Sequence, residues 1–257
     1  MFDPARSTLR AGLDSGESFA VAWLAMGSVA MVEAAARARP DAVVIDLQHG
    51  LFDRRDLEAA LAAVPPEIPV LARVADNTPG AIGTALDAGA EGVIVPLVET
   101  AEEAAAAVRF ARFPPHGVRS GGGVRPLADF AAYVAGAERG IVVVVMIETL
   151  RGLENAAAIA ATPGVDMVFI GTGDLALCIG AGPDATARQE DGCAAVVKAC
   201  ADAGTPCGIF TGDLEAARAR LREGYRMVVA ANDIAVVNRG FREAVEALAR
   251  PSREGAR

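Results

Sequence analysis

Two apolar runs in this chain end in carboxylates. Val142-Val143-Val144-Val145-Met146-Ile147 leads directly into Glu148, and Val168-Phe169-Ile170-Gly171-Thr172-Gly173 leads into Asp174. An apolar strand has no structural need for an acid at its end, and burying one without a partner is costly. Taken alone, Glu148 reads more simply as an N-cap or first-turn acid favoured by the helix dipole. Asp174 shifts that balance, because the glycines before it let backbone approach a ligand closely. If the two runs are neighbouring strands, ~4.8 Å apart, both carboxylates converge on one point. Two oxygen ligands with the other positions open to water or substrate suit Mg2+ or Mn2+ better than zinc.

The segment Ile45-Asp46-Leu47-Gln48-His49-Gly50 offers a second acid and one of only two histidines. Histidine as a residue type suits general acid–base work, which makes His49 a candidate; the plain alternative is a loop histidine bonded to a backbone carbonyl. His116, between proline and glycine, reads as a loop residue. Arg73 closes Val70-Leu71-Ala72-Arg73, where a permanent cation can stabilise an oxyanion or grip a carboxylate. A salt bridge from Arg73 to Asp46 or Glu148 is compatible with either role. Lys198 is the only lysine and falls in a helical stretch away from any strand end. A Schiff-base mechanism needs a lysine in the pocket, so that route has no candidate.

These residues need a frame that brings strand ends together. Short Val/Ile-rich runs alternate with Ala-rich amphipathic segments, the pattern of repeated β-α units on a parallel sheet. The periodicity predicts strands at Phe19–Leu24, Ala42–Asp46, Val70–Arg73, Gly92–Pro96, Ile141–Ile147, Met167–Ile170, Pro206–Phe210 and Met227–Ala230. It predicts helices at Val29–Ala38, Arg54–Ala63, Gly80–Ala88, Ala101–Phe110, Ala156–Ala161, Arg188–Ala203, Leu214–Glu223 and Ala235–Ala249. Eight strands favour a closed (β/α)8 TIM barrel, one domain over residues 1–257, above an open doubly wound sheet. The tail from about 251 reads as frayed. The connection from Pro96 to Ile141 is long, and Phe113 to Gly123 within it looks structureless, with Arg119 among glycines as a site-lining candidate.

Phosphate-binding barrels carry glycine-rich turns after strands seven and eight. Here Ala230-Ala231-Asn232-Asp233 is a poor phosphate cradle, whereas Thr211-Gly212-Asp213 is less clear. A net charge of −9 argues against nucleic acid or an anionic membrane as the main partner. Four cysteines without metal-type spacing, no apolar signal core and no run of membrane-spanning length suggest a reduced, cytoplasmic protein.

The order and spacing of several motifs resemble the HpcH/HpaI aldolase family over nearly the whole chain. The motifs are Ala22-Trp23-Leu24, Asp46-x-x-His49, Arg73, Leu86-Asp87-Ala88-Gly89-Ala90, Val95-Pro96-Leu97-Val98-Glu99-Thr100, Pro114-Pro115-x-Gly117-x-Arg119, Ile147-Glu148-Thr149 and Gly171-x-x-Asp174-Leu175. The resemblance implies a class II pyruvate aldolase with Mg2+, Mn2+ or Co2+ on Glu148 and Asp174. His49, oriented by Asp46 and acting through a water, would be the base, and Arg73 would stabilise the enolate and alkoxide oxygens. Asp87 of a neighbouring subunit would complete the His49 network in a homo-oligomer, often a hexamer. Trp23, Gln48, Gly173, Leu175, Phe210 and Arg119 would contact a 2-oxo acid or an aldehyde. Where many relatives have Gly-Pro, this chain has Gly171-Thr172-Gly173, which predicts a looser turn. An acyl-CoA carbon–carbon lyase of the malyl- or citryl-CoA type and a non-catalytic carboxylate-binding barrel remain as alternatives.

Overall fold

The computed structural model describes residues 8–248. Eight strands run β1 (Phe19–Leu24), β2 (Ala42–Asp46), β3 (Val70–Arg73), β4 (Gly92–Val95), β5 (Val142–Ile147), β6 (Met167–Ile170), β7 (Cys207–Ile209) and β8 (Met227–Asn232). They pair in parallel with consecutive neighbours, and β8 pairs with β1 to close the barrel. The barrel expectation holds, and most strand bounds agree within a residue or two. Pro96, Ile141, Pro206 and Phe210 fall just outside their strands, and β8 extends to Asn232.

Alternation along the strands makes two apolar layers. Val142, Val144 and Met146 of β5 join Trp23, Leu71, Ile94 and Phe169 in the barrel interior. Val143, Val145 and Ile147 face outward into the helices. Side chains of this kind each contribute ~1.5–3 kcal/mol on full burial. Gly208 is needed on β7, because a Cβ there would lie 2.7 Å from the Phe169 ring that fills the interior.

Helices α2 (Val29–Arg37), α3 (Arg54–Ala63), α4 (Pro79–Asp87), α5 (Ala101–Ala111), α8 (Ala156–Ala160), α10 (Ala185–Ala203), α11 (Leu214–Arg222) and α12 (Asp233–Leu248) occupy the expected places. Side-chain oxygens of Ser28, Asp53, Thr78, Thr100 and Asp213 accept N-cap hydrogen bonds at the starts of five of them.

Four further helices escaped the sequence pattern: α1 (Thr8–Ser15), α6 (Phe130–Gly140), α7 (Leu150–Glu154) and α9 (Thr172–Ile179). Helix α1 sends Leu9 and Leu13 into the interior layer and so closes the end where strands begin. Helix α6 resolves much of the long Pro96–Ile141 connection, leaving short Pro96–Thr100 and the segment between α5 and a 3-10 turn at Pro126–Asp129 without regular structure. The tail expected to fray from about 251 lies outside the described residues. No helix among the described residues is long and apolar enough to cross a membrane.

Candidate active site

Strands β2 and β3 end in charged residues on one face of the barrel, and register brings these together. Asp46 and Arg73, the last residues of β2 and β3, are direct partners across the ladder. Arg73 Nε donates to Asp46 Oδ1 at 2.9 Å and Nη2 donates to Oδ2 at very short range, a bidentate fork. Asp46 is buried and also accepts from Trp23 Nε1 (3.2 Å) and the backbone N–H groups of Gln48 (3.0 Å) and His49 (3.2 Å). Burial by itself would raise this carboxyl, but the Arg73 fork and these donors hold it below its ordinary value. Arg73 is thereby fixed with Nη1 making no hydrogen bond among the described residues, and its guanidinium lies 5.1 Å from the Trp23 ring centre.

Asp46 was expected to orient the His49 ring. It binds the His49 backbone instead, and the ring is exposed on its turn. That turn is tight: a Cβ on Gly50 would lie 2.1 Å from the Asp46 carbonyl oxygen. Gln48 leaves its Oε1 buried and without a partner.

Glu148 follows β5 and is 1% exposed. Its Oε1 accepts the Leu97 N–H at 2.8 Å. Leu97 has φ 55, a left-handed backbone that a leucine rarely adopts, and strain of this kind collects at functional sites. The sequence gives no sign of it. Ile147 and Ile170 are register partners, so Glu148 and Gly171 lie side by side. A Cβ on Gly171 would sit 2.3 Å from Glu148 Oε2, so glycine is required for space at that position.

Asp174 lies in the first turn of α9, within hydrogen-bonding reach of Glu148. Burial pushes the Glu148 carboxyl up to about 7, and the neighbouring Asp174 adds to the rise against the Leu97 hydrogen bond. A buried carboxylate held against a half-buried one is a donor set that a cation relieves. Among the described residues no three His, Cys, Asp or Glu side chains form a metal-binding group, so the protein's share of such a site is this pair. The residues present therefore fit a divalent cation with several open positions.

The turn into α9 is not loose, as the missing proline had suggested. Thr172 Oγ1 donates to the Phe210 carbonyl (3.1 Å), and Gln189 Nε2 donates to the Thr172 carbonyl (2.8 Å). Side-chain hydrogen bonds replace the stiffness of proline. Gly173 is exposed at the helix N-terminus, with open space where a side chain would be.

Several expected contacts move. Leu175 is fully buried in the outer apolar layer, so its side chain cannot touch a ligand at the mouth. Trp23 is likewise buried, packing edge-on against half-buried Phe210 at 5.3 Å between centroids. It supports Asp46 and Phe210 and is no wall by itself. Asp87 ends α4 on the opposite face, where strands begin, and accepts from Arg119 Nη2 at 2.8 Å. Arg119 is buried there between the rings of Phe113 and Tyr133. Within one chain neither residue reaches His49. Asp213 and Thr211, the residues left open as a phosphate turn, cap α11 and bond the Val229 carbonyl respectively.

Residues 20–239 match the HpcH/HpaI aldolase/citrate lyase family. The chain belongs to this family. It is 36% identical over 237 residues to the hydroxypyruvate/pyruvate aldolase of Paraburkholderia phytofirmans, covering 87% of this chain and 90% of that protein. It is 37% identical over 194 residues to the 4-hydroxy-2-oxovalerate aldolase of Rhodococcus jostii, covering 74% and 75% respectively. A solved HpcH/HpaI aldolase/citrate lyase family protein from Burkholderia cenocepacia superposes with a TM-score of 0.88 at 36% identity, covering 94% of this chain and 99% of that one. The barrel expected from the residues and the lyase class implied by the resemblance agree with these relatives.

Proposed function

We propose that the chain is a divalent-metal-dependent aldolase that reversibly cleaves 4-hydroxy-2-oxo acids to pyruvate, or hydroxypyruvate, and an aldehyde. The observation that carries this reading is buried Glu148 after β5 paired with half-buried Asp174 in the first turn of α9, on the same face as an Arg73 already locked by Asp46. Similarity to aldolases named for hydroxypyruvate, pyruvate and 4-hydroxy-2-oxovalerate supports the substrate class.

Glu148 and Asp174 would hold a divalent cation (Mg2+, Mn2+ or Co2+), which would supply Lewis acidity to the 2-oxo acid. The first-turn N–H of Gly173, at the positive end of α9, suits the substrate carboxylate. In the cleavage direction a His49 ring nitrogen takes the proton of the C4 hydroxyl, directly or through a water. Arg73 Nη1 donates to the oxygen that gains negative charge, and because Nε and Nη2 are committed to Asp46 it does so without reorganising. The C3–C4 bond breaks, the aldehyde departs past Phe210, and His49 returns the proton to C3. In the same reading Gln48 contributes its unpartnered oxygen near the 2-oxo acid, and Asp87 of a neighbouring copy in a homo-oligomer supports His49.

Dialysis against a chelator, followed by release of pyruvate from a 4-hydroxy-2-oxo acid, tests the reading. Turnover should vanish and return with Mg2+, Mn2+ or Co2+; full turnover after exhaustive chelation rejects it. Cleavage of malyl-CoA without any of a 4-hydroxy-2-oxo acid points to the acyl-CoA lyase instead.

A further inference from the structure

Helix α9 carries Asp174 in its first turn, yet no side chain caps it. Gly171 stands at the N-cap position, where α2, α3, α4, α5 and α11 each have a side-chain oxygen bonded to the first turn. Gly171 cannot be exchanged for a capping residue, because a Cβ there would meet Glu148 Oε2. Leu175 and Ile179 bury the far side of the helix, which leaves its first turn to be held from outside the cap.

Two side-chain hydrogen bonds do this, and both meet at Thr172, the first residue of α9. The Thr172 hydroxyl donates to the Phe210 carbonyl at 3.1 Å, and Gln189 of α10 donates to the Thr172 carbonyl at 2.8 Å. The first bond prolongs the β6–β7 ladder by one rung. Ile170 and Ile209 are the last register pair, and the Phe210 N–H donates to the Ile170 carbonyl at 3.0 Å. With Thr172 added, both backbone polar groups of Phe210 are tied to the chain that leads into Asp174. Phe210 in turn packs edge-on against Trp23, whose Nε1 donates to Asp46, the partner of Arg73. One run of contacts thus joins α10, the carboxylate turn, the Phe210 ring and the Arg73 fork.

We propose that Thr172 and Gln189 are positioning residues that lock the Asp174 turn to the Phe210 ring, so that the 2-oxo acid and the space for the aldehyde keep one fixed separation. This rests on the aldolase reading, in which a cation is held at Asp174 and the aldehyde passes Phe210. Only a hydroxyl at position 172 can make the tie, since an apolar side chain of the same shape has no donor for the Phe210 carbonyl. A tied ring selects aldehydes by size: a bulky C4 substituent must displace the ring, and the displacement pulls on Asp174. With the tie cut the ring yields without disturbing the carboxylates, and the penalty on bulk falls.

Thr172→Val removes the hydroxyl and keeps the shape, Thr172→Ser keeps the hydroxyl, and Gln189→Met removes the outer clamp. Thr172→Pro separates stiffness from the tie: proline suits the first position of a helix and follows an extended Gly171, so the turn stays rigid while the bond to Phe210 is lost. For each, kcat/KM is measured on 4-hydroxy-2-oxo acids with methyl and with phenyl on C4. The ratio should move toward the phenyl substrate by roughly two- to tenfold, the worth of one hydrogen bond, in the Val and Pro variants. Gln189→Met should move it the same way, and Thr172→Ser should restore it. A second readout needs no turnover. Trp23 is the only tryptophan, so its emission should change when Mg2+ binds the wild type. In Thr172→Val, or Thr172→Pro should the Val variant not fold, that change should be absent although calorimetry shows Mg2+ bound. Equal losses on both substrates with an unchanged ratio overturn the proposal, because that is a merely structural residue. So does an emission change that is alike in wild type and variant, or missing from a wild type that binds Mg2+. A wild type that binds Mg2+ but cleaves neither substrate rejects the aldolase reading and leaves Trp23 emission to decide the tie; one that binds no Mg2+ overturns both.

Discussion

Replacing Glu148 by Gln separates a carboxylate kept for a cation from one that holds the fold. Without metal, burial and the neighbouring Asp174 place the Glu148 carboxyl at about 7 instead of 4.5. Between those values the folded chain keeps a proton that the unfolded chain has released. Stability contributed by this group therefore falls as pH rises through the window, and the full cost stands above about 7. A shift of that size corresponds to ~3 kcal/mol. Gln keeps an oxygen for the Leu97 N–H, and its amide can donate to Asp174 with no charge to desolvate.

In excess chelator, Glu148→Gln should be more stable than the wild type by up to ~3 kcal/mol above pH 7.5, a difference that closes toward pH 4.5. For a chain of this length that is a rise in Tm of roughly 5–10 °C. Urea unfolding at pH 5, 6, 7 and 8 measures the difference directly. Added Mn2+ should then stabilise the wild type in proportion to its binding and leave the variant unmoved. A variant less stable than the wild type at pH 8 in chelator would refute the reasoning, because the carboxylate would then be a structural group.

The other expectations follow from the same geometry. Arg73→Met leaves Asp46 buried and unpaired, so unfolding should become easier by ~3–5 kcal/mol together with loss of turnover; Asp46→Asn in that background should recover stability but not activity. His49→Ala removes an exposed ring, so stability should stay within ~0.5 kcal/mol while kcat falls on the order of a hundred- to ten-thousand-fold. Gly171→Ala drives a Cβ to 2.3 Å from Glu148 Oε2, and should cost ~1–3 kcal/mol and weaken Mn2+ binding in calorimetry. Trp23→Phe keeps a ring but deletes the donor to Asp46; kcat should fall more than KM changes, and an equal rise in KM alone would mean that Trp23 contacts substrate.

Much of the site was legible because a parallel barrel places the last residue of every strand on one face. Once apolar runs were recognised as strands, Asp46, Arg73, Glu148 and Asp174 had to gather there. Their partners were not legible. Nothing local in the sequence says that Leu97 takes a left-handed turn to offer Glu148 its N–H, or that Asp46 holds a backbone rather than an imidazole. Leu175 and Trp23 were expected to contact a ligand because the family resemblance implies it. Strand alternation sends Trp23 into the barrel interior, and helical phase sends Leu175 into the outer apolar layer.

The sequence alone determined the strand count, the parallel closure, the exclusion of a Schiff-base lysine and the identity of the strand-end carboxylates. These are properties of period, composition and residue type, which need no contact map. Only the tertiary structure decided that Gly171 makes room for Glu148, that Thr172 and Gln189 stiffen the turn where proline is absent, and that Arg119 and Asp87 pair on the opposite face. It also decided that α12 leaves its barrel. A 3.6-residue stripe says that a helix has an apolar side; which surface that side meets depends on where the chain can turn, and at Asn232–Asp233 it has no residue with which to turn.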